Sequence, residues 1–198
     1  MAHREPSHGR GQELRNALRA ATLGAHERLH RDPGLSAITA GQISRPDYCD
    51  LLARMLGFYV PLELALGLGP ERSVWLRADL NSLDASYSGS PVPLCPYVPR
   101  AESRARRLGA RYVIEGAAIG GQQLARRLDA LLGRDEVAGR RFFIGRGTAS
   151  GPAWRAFLEE LATFEADTGA RDSLIEAACE TFGAFEHWLA GWSRQPAA

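Results

Sequence analysis

The chain has 198 residues and a formal net charge of +1. That is enough length for one domain with a real core and too little charge for an electrostatic case for nucleic acid. Apolar residues make up 45% and charged residues 24%, the balance of a globular protein. All 24 basic residues are arginine, so any anion must be held by guanidinium forks rather than by an ammonium. Cys49, Cys95 and Cys179 lie far apart without a CxxC spacing, which argues against a disulfide scaffold and a cysteine zinc site. No run of about 18 apolar residues occurs, and MAHREPSHGRGQE carries no apolar leader core. A soluble, cytoplasmic protein without a membrane partner is expected.

Residues 1–11 read as a disordered tail. From Gln12 to about Arg31, Leu14, Leu18, Ala21, Ala25 and Leu29 recur three and four apart, an amphipathic helix that stops before Asp32-Pro33-Gly34. Ser44-Arg45-Pro46-Asp47 is a helix start with a capping box. The long helix that follows carries Pro61, which predicts a kink. A further helix fits 71–83 and a Pro- and Ser-rich loop fits 86–99. Residues 102–132 read as a helix with Gly116, Gly120 and Gly121 in its middle, and 135–145 as a shorter one. After a turn at Gly145-Arg146-Gly147, Ser150 is expected to cap a helix to about Asp167. A last helix fits Asp172 to Trp192, before a short tail at 193–198. No alternation of period two appears. The expected fold is an all-α, single-domain helical bundle over 12–192.

The glycines raise the first functional question. Gly in a helix interior costs about 1 kcal/mol relative to Ala. Gly116 and Gly120 share one face, and Gly121 lies about 100° round from Gly120. A face without side chains admits either a neighbouring helix or a flat ligand close to the backbone. His26 and His30 are four apart on the first helix, on adjacent turns of one face. Each is open to a core or capping role or to a role as axial ligand. Two histidines without a further Glu or Cys do not complete a zinc site. Arg19, two turns before His26, is either a solvated charge or a fork for a carboxylate.

Four stretches decide among these alternatives. LRAATLGAHERLH (18–30), YVIEGAAIGGQ (112–122), FFIGRGTASGPAWRAFLEEL (142–161) and TFGAFEHWL (181–189) together resemble the bacterial biliverdin-producing heme oxygenases, in particular those that accompany bacteriophytochromes. The resemblance implies a heme oxygenase-like bundle with heme between the first helix and a Gly-kinked distal helix. His26 matches the iron ligand, and Gly116, Gly120 and Gly121 match the distal glycines that let backbone lie over the ring. Arg19 matches a propionate-binding position. Arg140, Arg141 and Arg146 are candidates for the second propionate, Tyr112 for the pocket edge, and Phe143, Phe182 and Phe185 for packing against the heme edge. Glu115, one residue before Gly116, is expected to point away from the glycine face.

The implied activity is cleavage of heme, which is both substrate and cofactor, to biliverdin, CO and ferrous iron with O2. No Rossmann motif or cysteine cluster is present, so electrons are expected from a ferredoxin or flavin reductase docked on a basic face, with the Arg-rich segment 100–111 a candidate. A phytochrome is the implied acceptor of the bilin. Two positions depart from the family's pattern: Gly145-Arg146-Gly147 stands where relatives often have GYG, and Ala117 stands where a polar residue is common. These departures keep a second reading open, a heme carrier or sensor on the same fold that does not turn heme over.

Overall fold

The computed structural model describes residues 7–87, 91–134, 136–164 and 168–190. Among them the chain forms helices and turns and no strand, in agreement with the all-α expectation. None of these helices is long and apolar enough to cross a membrane.

α1 (Ser7–Leu29) begins within the stretch expected to be a disordered tail. Its first turns have a partner: a Cβ at Gly11 would sit 2.5 Å from Ala162 Cβ, so the helix lies directly against the end of α8. Residues 1–6 and 191–198 fall outside the described residues, and with them the rest of both expected tails. Leu14, Leu18, Thr22 and Leu29 are the buried stripe of α1. The Asp32-Pro33-Gly34 stop also starts α2 (Pro33–Thr39), because Asp32 Oδ1 accepts from the amides of Gly34 and Leu35 at 3.0 and 3.1 Å. One acidic side chain after a helix thus caps the next one.

α3 (Arg45–Leu66) is the centre of the core, with Tyr48, Leu51, Leu52, Leu56 and Leu62 fully buried. Ser44 caps it as expected, accepting from Asp47 N at 3.2 Å while its hydroxyl donates to Asp47 Oδ2 at 2.6 Å. Pro61 removes the N–H that would have bonded Gly57 O. Cys95 N–H takes that carbonyl instead, at 2.9 Å. The strap around Pro93 lies so close that a Cβ at Gly57 would be 2.2 Å from Pro93 O. The proline therefore anchors the 91–99 loop as well as interrupting a ladder. Gly67 ends α3 in the left-handed conformation, φ +65°.

α4 (Glu71–Leu83) has no cap of its own; Pro70 precedes it. The buried Glu63 of α3 does the capping, accepting from Arg72 N and Ser73 N at 2.8 and 3.2 Å and from Ser73 Oγ at 2.6 Å. α5 (Arg104–Arg127), capped by Ser103, runs unbroken through all three motif glycines. Leu128 separates it from α6 (Asp129–Leu132). The helix expected over 135–145 shrinks to α7 (Arg141–Ile144). α7 is capped from α4: Asp79 accepts from Arg141 N and Phe142 N at 2.7 and 2.8 Å. α8 (Ser150–Ala162) starts at Ser150, not after it, and its cap residue is Ala149. Ser150 is therefore not a cap, because its hydroxyl is buried and has no partner among the described residues. α9 (Thr168–Ala190) begins four residues earlier than expected. It packs on α5 through Gly109, where a Cβ would meet Leu174 O at 2.0 Å.

Asp79 is 1% exposed, and burial raises its carboxyl to about 6 against the pull of the α7 amides. The folded chain therefore binds this proton more tightly than the unfolded chain. The stability it contributes is full below about pH 4 and declines as pH rises through 6. Urea unfolding of the wild type and of Asp79→Asn at pH 4 and pH 7 is expected to show the wild type losing up to about 3 kcal/mol relative to the variant. Parallel pH dependences would contradict this.

Candidate functional site

An open cleft of about 730 Å³ lies among α1, α3, α4, α5, α7 and α9, within the range of small-molecule sites. Its walls are mostly apolar: Leu29, Met55, Tyr59 and Trp75 join Ile114 and Leu124. α5 presents Ala117, Ala118 and Gly120 to it, with Ile119 the one large side chain of the stretch. The last turn of α1 presents His26, and His30 follows just after the helix.

The glycines of α5 differ in what surrounds them. At Gly121 a Cβ would be 3.1 Å from Phe143 O, so α7 sits against the backbone there. At Gly116 the nearest atom is Trp154 Cη2 at 3.7 Å, an ordinary contact. At Gly120 nothing lies within 4 Å. Protein packing accounts for Gly121 and leaves Gly120 facing the open cleft.

His26 stands in the cleft with its ring centroid 4.5 Å from that of His30 and 6.3 Å from that of Phe182. Partial burial, then the neighbouring His30, hold its pKa below the usual histidine value against the opposing charge of Glu27. This favours the neutral imidazole, which has a lone pair available to a metal.

The residues expected at the site separate into two groups. His26, Gly120, Gly121, Phe143, Phe182, Phe185 and Arg146 border the cleft. Gly116, Arg19, Tyr112 and Arg141 do not. Tyr112 packs 5.6 Å from Trp154, the ring that also covers Gly116. Burial raises its phenol while Arg15 and Arg19 nearby pull it down, so Arg19, Tyr112 and Gly116 share a neighbourhood around α8. Arg141 stacks 4.7 Å over Trp75 and donates to Gly145 O. Arg140 is buried and ties Ala125 O, Asp129 and Gly133 O together. Arg146 reaches the cleft edge but is engaged by Glu71 at 2.6 Å. Glu115, expected to point away from the glycine face, instead borders the cleft while Gly116 does not; it is buried and pairs with Arg72 at 3.0 Å.

Sequence reasoning did not single out Tyr59, Trp75, Arg72 or the adjacent rim cations Arg126 and Arg127, all of which border the cleft. Burial pushes the Tyr59 phenol up to about 12, so it remains a hydrogen-bond donor at pH 7. Ser150 Oγ is a second polar atom on this wall, buried and unpaired. In the segment 100–111, Arg106 pairs with Glu176 and Glu180 and Arg111 with Glu160, while the exposed Arg104 and Arg107 make no ion pair among the described residues.

One wall of the cleft carries an imidazole and the facing helix is short of side chains, and the apolar lining suits a bulky, largely apolar ligand. The family is specific: residues 12–191 match the heme oxygenase family model, and the chain belongs to the heme oxygenase family. No curated protein sequence matches it. Its fold is similar to that of heme oxygenase-1 from the cyanobacterium Synechocystis sp. PCC6803, solved in complex with heme. The TM-score is 0.72 at 17% identity, covering 90% of this chain and 91% of that one.

The two neighbouring glycines make a stability contrast. Gly120→Ala is expected to leave the ligand-free protein as stable or up to about 1 kcal/mol more stable, by helix propensity. Gly121→Ala is expected to cost roughly 1–3 kcal/mol as Phe143 is displaced. Thermal unfolding of both variants checks this, and equal effects would contradict the contrast.

Proposed function

We propose that this protein binds heme in the cleft between α1 and α5 and cleaves it to biliverdin, CO and ferrous iron, using O2 and electrons from a separate ferredoxin or flavin reductase. The observation that carries the reading is the pairing, in one apolar cleft, of a neutral-biased imidazole on α1 with an α5 backbone left bare at Gly120. The residues fit the ligand. The cleft is apolar and of suitable size, His26 offers a nitrogen donor, and the unpaired Ser150 hydroxyl is a polar atom that a bound ligand or water would satisfy. When bound, heme supplies both the redox centre and the carbon that is oxidised.

The chain's own groups do the rest. His26 would hold the iron through its free ring nitrogen. Ala117, Ala118 and Gly120 bring no acid to the side where O2 reacts and keep it open to a small molecule. The aromatic rings of Phe143, Phe182 and Phe185 pack the ring edges and exclude water. Arg126 and Arg127 border the cleft and make no ion pair among the described residues, so they are the forks left free for propionates there, while Arg141 and Arg146 are already engaged. The resemblance to the bacteriophytochrome-associated members supports bilin supply to such a photoreceptor as the physiological role.

One equivalent of hemin added to the purified protein is expected to give a Soret band. A ferredoxin system in air is then expected to replace it with biliverdin absorbance. A Soret band that persists under reductant would favour the carrier or sensor reading, and no Soret shift would remove heme altogether. His26→Ala is expected to weaken hemin binding tenfold or more and to alter the Soret spectrum. Gly120→Leu is expected to fold and to lose most turnover. Normal turnover in that variant would contradict the role given to the bare backbone.

A further inference from the structure

His30, the first residue after α1, has no part in the reading above, yet it stands in the same cleft. It is exposed, borders the cavity, and its ring lies 4.5 Å from that of His26 at an interplanar angle of 76°. The two are four apart, His26 in the last turn of α1 and His30 in the turn that follows, where its backbone N–H donates to His26 O at 3.2 Å. Neither imidazole hydrogen-bonds to another described residue, so their nitrogens are free.

The spacing has a chemical meaning. A histidine nitrogen sits about 2.1 Å from a bound first-row divalent cation, and its ring centre roughly 1.1 Å further on, so two cis imidazoles on one cation have centroids about 4.5–5 Å apart. The pair has this separation already, and both exposed rings can turn about χ2 to bring their nitrogens together. No group of three or more metal-ligating side chains occurs among the described residues. The cation would be held by two imidazoles and water, an open site and not a closed structural zinc centre.

We propose that His26 and His30 form a two-imidazole site for a first-row divalent cation in the heme-free cleft, and that its natural occupant is the ferrous iron set free there by ring opening. The second clause rests on the heme reading; the first does not. The step is ligand exchange at constant oxidation state. Fe(II) loses the nitrogens of the opened tetrapyrrole, keeps His26, and gains His30 and water. No electron is transferred; the pyrrole nitrogens that release the iron take up protons from water, and the imidazoles bind as neutral donors.

The heme-free protein is titrated with Co(II), followed by its visible absorption and by calorimetry. One Co(II) per chain at micromolar affinity is expected, with at least tenfold weaker binding in His26→Ala and in His30→Ala and displacement by one equivalent of hemin. His187→Ala is expected to bind Co(II) normally. No Co(II) binding by the wild type, or unchanged binding by His30→Ala, would overturn the site. A normal Soret band in His30→Ala shows that this variant is folded and keeps the heme reading separate from this one. After a single turnover, ferrous iron should reach a chelator faster from His30→Ala than from the wild type. Equal rates would overturn iron as the occupant.

Discussion

The architecture depends on how closely neighbouring backbone approaches α5. At Gly109 the chain of α9 comes so near that any side chain is excluded, since a Cβ would lie 2.0 Å from Leu174 O. At Gly121 the chain of α7 makes a looser but still tight approach, with Phe143 O 3.1 Å from a Cβ there. These two contacts fix α9 and α7 against one helix, and with them the aromatic side chains that both elements send to the cleft. Between them α5 presents Gly120 to open space. Protein interiors are close-packed, so a cleft of about 730 Å³ beside a bare helix surface persists because the surrounding elements are held elsewhere.

The holding is done by buried carboxylates as much as by apolar contact. Glu63 of α3 caps α4, and Asp79 of α4 caps α7. A negative group at a helix N-terminus satisfies free amides and opposes the positive end of the helix dipole. Each of these carboxylates therefore ties one helix to another, Glu63 joining α3 to α4 and Asp79 joining α4 to α7. Arg72 and Glu115 add a buried ion pair between α4 and α5, with side chains only 7% and 10% exposed. Such a pair adds little net stability over an apolar contact, yet losing one partner is costly because the other charge is stranded. The result is a wall on which Tyr59, Trp75 and Arg72 hold fixed positions beside the cleft.

What the sequence made legible follows from whether the cause was local. The Ser44 cap, the α4 boundaries at 71 and 83 and the stop before Asp32 are set by side chains within a few residues, and they stand as read. The size of α7 was not legible, since its cap comes from Asp79, 62 residues away. Ser150 looks like a cap, but α8 begins under Ala149 and the hydroxyl turns into the wall of the cleft. Among the site residues, the His26 and Gly120–Gly121 motifs carried their own signal. Arg141 and Arg146 could not be sorted from sequence, because Trp75 and Glu71 engage them across the fold. Gly109 gave no motif at all, and only its tertiary contact reveals why it is glycine.

The central claim is that the bare surface at Gly120 and the imidazole at His26 are the two sides of one heme site. A crystal structure of the protein with hemin tests it most directly. The account predicts iron bonded to His26, the ring between α1 and α5, and no protein side chain between the ring and the backbone at Gly120. Iron bonded to His30 alone, or hemin seated outside this cleft, would contradict it.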